Sequence, residues 1–298
     1  MVTIVIAGGS GFLGQKLARR LALGGHQVRV LTRKRAQAPD QITWQPDGTP
    51  GSLAQHLNAI DAVVNLAGEN IASGRWTAAR KELLRSSRIL PTRTLARAIA
   101  QCTTPPKVFV SASGVGYYGP HGDEPVTEET PPGSDFFGRL CVDWEQEARA
   151  AAPATRLMTV RSGPALANDG GALKKMLLPF TLGLGATLGS GEQFFPWIHA
   201  DDWTAMVMWM IENDRATGAF NATAPTPVTN REFTQTLARV LKRPAIFHAP
   251  AFALRAALGE LADVLLTGQR AVPAHAEQLG FRFTHRALEP ALRSLPLR

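Results

Sequence analysis

A doubly wound α/β fold, with helices on both faces of a parallel sheet, is predicted by three features of the sequence. Residues 2–7 form an apolar run that breaks into Gly8-Gly9-Ser10-Gly11-Phe12-Leu13-Gly14 and opens an amphipathic helix. Short apolar runs then alternate with helical stretches as far as residue 161, the order that gives parallel strands joined by crossover helices. A glycine turn placed between strand and helix cradles the diphosphate of a dinucleotide, which lies against bare backbone at the helix N-terminus.

The first helix is expected over residues 12–23, stopped by Gly24-Gly25, with a second strand at 27–31. Gly8, Ser10, Gly11, Phe12, Leu13 and Gly14 are therefore the first candidate cofactor residues. The end of the second strand selects the nucleotide. An acidic residue about 20 positions after the glycines accepts a ribose 2′-hydroxyl, whereas an arginine accommodates a 2′-phosphate. Here Thr32-Arg33-Lys34-Arg35 follows, with no carboxylate before Asp40. Arg33 can grip two phosphate oxygens at once, with Lys34 beside it, so NADP(H) is the expected cofactor. A solvated basic turn is the plainer reading of the same four residues.

Further strands are expected at 42–44, 59–66, 108–111 and 157–161, and helices at 77–87, 91–101 and 139–152, Pro91 opening the second of these. Beyond residue 161 the texture changes. Ser162-Gly163-Pro164 and residues 183–191 read as loops, 218–222 as a strand, and Thr229-Asn230-Arg231-Glu232 as a capping box opening a helix that ends before Pro244. Residues 245–298 are expected to add a helix at 251–258, a short strand at 281–283 and a last helix at 287–294. The chain thus divides into a dinucleotide-binding Rossmann domain over 1–165, which also receives the strand at 218–222, and a smaller substrate-binding α/β domain over 166–298. Ligands of open α/β sheets lie outside the carboxyl ends of the strands, which adds Leu66, Ala67, Gly68, Ser111 and Pro164 to the cofactor candidates.

The 298 residues are 45% hydrophobic, enough for a sizeable core. No run reaches the 18 or so apolar residues of a membrane span, and the first strand begins at Val2, leaving no room for a leader. A cytoplasmic location without membrane contact is expected. Two cysteines, Cys102 and Cys141, fit neither a disulfide framework nor a metal-ligand spacing, so no metal is expected. The net charge of +8 gathers partly in Arg75, Arg80, Lys81, Arg85, Arg88, Arg93 and Arg97. Their scattered spacing and the lack of interleaved aromatic residues beyond Trp76 argue against nucleic acid and for a solvated helix face or a basic rim.

Several motifs together resemble the extended short-chain dehydrogenase/reductases, and within them the atypical epimerase-family branch that carries its own short C-terminal domain, here residues 245–298. They are Gly8 to Gly14, Asn65-Leu66-Ala67-Gly68-Glu69-Asn70-Ile71, Ser111-Ala112-Ser113-Gly114-Val115-Gly116-Tyr117-Tyr118-Gly119, Trp197-Ile198-His199-Ala200-Asp201-Asp202, Asn221-Ala222-Thr223-Ala224-Pro225 and Gly268-Gln269-Arg270. The resemblance implies hydride transfer with a Ser, a Tyr and a Lys, the last two spaced Tyr-x-x-x-Lys. This chain places Phe137 and Cys141 there; phenylalanine carries no proton to give, and cysteine supplies no fixed positive charge to stabilise a phenolate. Ser113 keeps the serine position, and Tyr117, four residues on, is the leading replacement proton donor.

Glu69, Tyr118 and His199 are further candidates on the substrate side, and residues 68–77 are expected to form a lid in which Arg75 and Trp76 bind an anionic or flat substrate. The expected activity is oxidoreduction, or epimerisation through a transient keto intermediate, on an unidentified small molecule by a monomer or homodimer. The alternative is a non-catalytic NADP(H)-binding regulator or redox sensor acting through a protein partner.

Overall fold

The computed structural model describes residues 1–297. Its centre is a seven-stranded, wholly parallel sheet of β1 (Thr3–Ala7), β2 (Gln27–Thr32), β3 (Gln41–Thr43), β4 (Ala62–Asn65), β5 (Val108–Gly114), β7 (Arg156–Ser162) and β12 (Gly218–Ala222), in the order β3-β2-β1-β4-β5-β7-β12. The strand order reverses between β1 and β4, and the crevice there is where such sheets take a ligand. Four two-stranded ladders flank the sheet: β6 (Pro125–Val126) with β15 (Arg270–Ala271), β8 (Ala165–Leu166) with β11 (Ile198–His199), β9 (Ala186–Leu188) with β14 (Phe247–Ala249), and β10 (Phe194–Phe195) with β13 (Val228–Thr229).

The helices are α1 (Phe12–Leu23), α2 (Leu53–Leu57), α3 (Ala78–Ala100), α4 (Phe136–Arg149), α5 (Gly171–Thr181), α6 (Ala200–Glu212), α7 (Asn230–Leu241), α8 (Ala251–Leu258), α9 (Leu261–Leu266), α10 (Ala274–Gln278) and α11 (Leu288–Arg293). β1 shows why the sheet is buried on both sides. Ile4 and Ile6 point to a core shared with Leu17 and Leu21 of α1 and Trp203, Met206 and Met210 of α6. Val5 and Ala7 point to the opposite core, with Leu57 of α2 and Leu95 and Ile99 of α3. A strand with both faces covered needs apolar residues at every position rather than at alternate ones.

Four expectations are corrected. The separate helices at 77–87 and 91–101 are one helix, α3, with Pro91 inside it. Proline forfeits one ladder bond, but the face around it, Leu84, Ile89, Leu95 and Ile99, is fully or nearly fully buried, and that packing keeps the helix continuous. Residues 281–283 are not a strand; Phe281 and Phe283 instead plug the core beneath α6. The 183–191 loop contains β9. The arginine-rich stretch is not simply a solvated face, since Arg85 and Arg93 bridge to Asp143 and Glu147 of α4 at 2.9 and 2.5 Å and Arg88 is buried.

The smaller unit is built on a third core in which Phe180 of α5, Phe233 and Leu237 of α7 and Leu288 and Leu292 of α11 meet Trp197. Thr229 and Glu232 form a complete capping box at α7. α6 and β12 come from the second half of the sequence yet belong to the layers of the sheet, so a cut at residue 165 does not follow the packing. Among the described residues no helix is long and apolar enough to cross a membrane.

Candidate functional site

A groove of about 580 Å³ runs over the carboxyl ends of β1, β2 and β4. Its floor is the turn Gly8-Ser10-Gly11. Gly8 has φ +78° and a Cβ there would lie 2.6 Å from the Leu66 backbone, while a Cβ on Gly14 would lie 2.3 Å from the Gly8 carbonyl oxygen. Only hydrogen at these two positions lets strand, helix and neighbouring loop approach so closely. The first turn of α1 carries neither a capping side chain nor an acidic residue, so its N–H groups and partial positive charge face the groove without an internal partner. Phe12 and Leu13 lie outside the lining: Phe12 abuts Gly170 and Gly171, and Leu13 packs on the core.

Arg33 and Lys34 line the rim beside Thr32 and Gln41, and neither forms an ion pair among the described residues. Together the bare turn, the uncapped helix and these two cations fit a diphosphate followed by a further phosphate on its ribose. The opposite wall is Leu66, Ala67, Gly68 and Glu69 with Leu83, Ser86, Ser87 and Leu90 of α3. Those α3 residues were not singled out from the sequence, although their i, i+3, i+4, i+7 spacing is that of one helix face.

At the ends of β5 and β7 the sequence candidates enter a buried polar network. Ser113 Oγ donates to Glu145 Oε1 at 2.8 Å. Arg161 forms a two-pronged ion pair with Glu145 at 2.8 and 2.9 Å, and its Nη1 reaches the Tyr118 hydroxyl at 3.1 Å. That hydroxyl donates to Asn221 at 2.6 Å. Burial lowers the affinity of the Arg161 guanidinium for its proton, but the bonds and charge of Glu145 outweigh burial and leave its pKa above the ordinary value. Tyr118 is wholly buried and its phenol is pushed up to about 12, chiefly by burial, so it serves the network rather than a substrate. Glu145 and Arg161 were missed in the sequence because a carboxylate on a helix and an arginine on a strand carry no local signal of pairing.

Tyr117 is placed differently. It is half-buried, its ring lies 3.4 Å below the Arg161 guanidinium carbon, and its hydroxyl has no hydrogen-bond partner among the described residues. Phe137 occupies the space beside Gly116, where a Cβ would be 1.9 Å from the ring. Cys141 is wholly buried, and its thiol is pushed up to about 12, chiefly by burial, which rules it out as a thiolate. Ser111 Oγ is buried without a partner. Pro164 is half-buried, and its carbonyl accepts the Ile198 N–H at 3.1 Å.

One candidate on the substrate side is corrected. Trp76 is 7% exposed, donates its indole N–H to the Ile71 carbonyl at 2.9 Å and stacks edge-on against Phe136 and Phe137, so it belongs to a small apolar core with Leu84, Leu140 and Leu261. Arg75 is exposed, and its Nη1 donates to the Ala256 carbonyl of α8 at 3.1 Å. This contact and the Lys81–Glu260 ion pair tie residues 69–81 to the C-terminal segment.

His199 is the N-cap of α6: its Nδ1 accepts the Asp201 N–H at 3.1 Å, and its ring stacks on His285 at 3.8 Å. It does not line the groove. The ligand atoms of His199, Asp201 and His285 lie within 4.8 Å of one another. Stacked imidazoles, however, direct their lone pairs alongside each other rather than at one point.

Burial, then the charge of His285, pulls the His199 pKa from 6.5 down to about 4, against the opposing pull of Asp201 and Asp202. The fold holds the ring neutral while the unfolded chain binds a proton, so the stability it contributes is complete above about pH 6.5 and is lost as pH falls toward 4. Replacing His199 with Asn, which keeps a capping oxygen, should flatten the fall in the urea midpoint between those pH values. An unchanged pH slope would contradict this.

Residues 4–223 match the model of the NAD dependent epimerase/dehydratase family, and residues 249–295 match a domain of unknown function, DUF1731. Epimerase family protein SDR39U1 of Bos taurus is 42% identical over 297 residues, 98% of this chain and 99% of its own length. Epimerase family protein Mb2239 of Mycobacterium bovis is 41% identical over 97% of this chain and 96% of its own. The crystal structure of human epimerase family protein SDR39U1 (isoform 2) with NADPH superposes with a TM-score of 0.91 at 38% identity, covering 98% of each chain.

Proposed function

The chain belongs to the NAD dependent epimerase/dehydratase family, in the branch with the extra C-terminal domain, and on that premise we propose that it is an NADP(H)-dependent oxidoreductase acting on a small molecule. The observation that carries this reading is the pairing of a bare-backbone anion cradle with unpaired Arg33 and Lys34 at the rim of one groove. The human relative crystallised with NADPH supports it. Gly8, Ser10 and Gly11 would hold the diphosphate, Arg33 and Lys34 the 2′-phosphate, and Leu66, Ala67 and Gly68 the far wall. Bound NADP(H) supplies the hydride donor or acceptor.

Tyr117 is the proton donor in this reading, being the phenol in the Ser111–Gly119 segment without an internal partner. Glu145 and Arg161 hold it, Ser113 and Tyr118 in place. The remainder of residues 166–298, apart from α6 and β12, forms the substrate side. The second reading, a non-catalytic NADP(H)-binding regulator, draws on Ser113 being committed to Glu145 and on Phe137 and Cys141 being packed away.

Arg33→Ala tests the cofactor assignment. Charge-assisted hydrogen bonds are each worth about 1.5–3 kcal/mol, so the Kd for NADPH should rise about 10- to 100-fold, with NADH changed by less than about twofold. A fluorescence titration showing equal losses for both nucleotides, or none, would remove Arg33 from the site.

A further inference from the structure

With Phe137 and Cys141 at the positions of the family's tyrosine and lysine, α4 brings no fixed positive charge to the reacting end of the groove. The neighbouring helix does. Arg88 of α3 is 7% exposed and its guanidinium lies between α3, α4 and the loop after β4. Its Nη1 donates to the Leu84 carbonyl at 3.0 Å and its Nη2 to the Glu69 carbonyl at 2.9 Å. Its carbon stands 5.2 Å from the Trp144 ring centre, and a Cβ on Gly68 would come within 3.3 Å of it. The neutral Cys141 thiol of α4 lies in the same neighbourhood.

Two features of Arg88 go beyond what a structural clamp needs. It forms no ion pair with a carboxylate among the described residues, and its Nε–H is buried without a partner. Burial lowers its pKa to about 10, which leaves it charged at neutral pH. The Ser87 hydroxyl, the Trp144 face and the Glu69 charge offset part of its burial, but a neutral amide could bridge two carbonyls at far smaller desolvation cost, so a buried cation with a spare donor is expensive unless an oxygen-bearing ligand completes it. Arg88 itself stands behind the lining, and the residues in front of it, Gly68 and Glu69, whose carbonyl it holds, are part of the groove wall.

We propose that Arg88 is the fixed cation at the reacting end of the site, delivered from α3 in place of the absent lysine on α4, and that it binds the hydroxyls of the ribose attached to the nicotinamide. This rests on the NADP(H) reading above. Its selectivity is for the nicotinamide half of the dinucleotide, since Arg33 and Lys34 stand at the other end of the groove.

The test is a pair of titrations on the full chain, with NADPH and with adenosine 2′,5′-bisphosphate, which has the 2′-phosphate but no nicotinamide ribose. Arg88→Met should weaken NADPH about tenfold or more and leave the bisphosphate within about twofold. Adding Cys141→Lys to that variant should restore much of the loss by returning a cation to α4. Unchanged NADPH affinity, or equal losses for both ligands, would overturn the proposal, the latter assigning Arg88 to the loop alone.

Should Arg88→Met fail to fold, Arg88→Lys carries the same test. It keeps the charge but lacks the guanidinium fork, so NADPH should weaken about threefold or more with the bisphosphate unaffected, and equal losses would again overturn it. Failure of the wild-type chain to bind either ligand would remove the NADP(H) reading itself, and this inference with it.

Discussion

Glu145→Ala is expected to lower the stability of the fold by about 3–5 kcal/mol, because it strands a guanidinium in the interior. Glu145 and Arg161 are each 3% exposed, and both prongs of the pair are within 2.9 Å. Without the carboxylate, Arg161 retains only the Tyr118 hydroxyl, the Glu128 carbonyl and the face of Tyr117. Ser113 also loses its acceptor.

Removing both charges should cost less than removing one, since a well-packed apolar pair needs no ionic compensation. Glu145→Leu/Arg161→Met is therefore expected to recover most of the loss in urea denaturation. A single-variant loss below about 1 kcal/mol would mean that water reaches the pair, against its burial.

Tyr117→Phe is expected to cut turnover by about 10²- to 10⁴-fold, the usual worth of a positioned proton donor, while NADPH binds as before. The ring would keep its place, because the contact with the Arg161 guanidinium is made by the aromatic face and not the hydroxyl. Following NADPH absorbance over a panel of carbonyl compounds gives the measurement. Turnover unaffected by the substitution would dismiss Tyr117, and tight NADPH binding with no turnover on any carbonyl would favour the regulator.

The glycine turn and basic rim of the groove were legible because they are written in neighbouring residues. Gly8, Gly11 and Gly14 are within one turn of chain, and Arg33 follows one strand later, so strand, turn, helix and basic rim can be read without knowing any distant contact. The buried polar network is not local. Ser113, Glu145, Arg161 and Asn221 come from β5, α4, β7 and β12, and only the sheet order brings them together.

The same limit explains Trp76, which reads as a lid residue next to Arg75 but is covered by Phe136, Phe137 and Leu261 from two distant segments. His199 likewise meets its partner, His285, 86 positions later. Pro91 illustrates tertiary packing overriding a local signal: its preference for a helix start loses to the buried face on which α3 continues.

We propose that the groove above Gly8 and Arg33 takes NADP(H). Isothermal titration of the purified chain with NADPH and NADH tests it directly. Saturable one-to-one binding of NADPH is expected, with NADH weaker by about tenfold or more for want of the 2′-phosphate. Equal affinity for the two, tighter NADH, or no heat with either would contradict it.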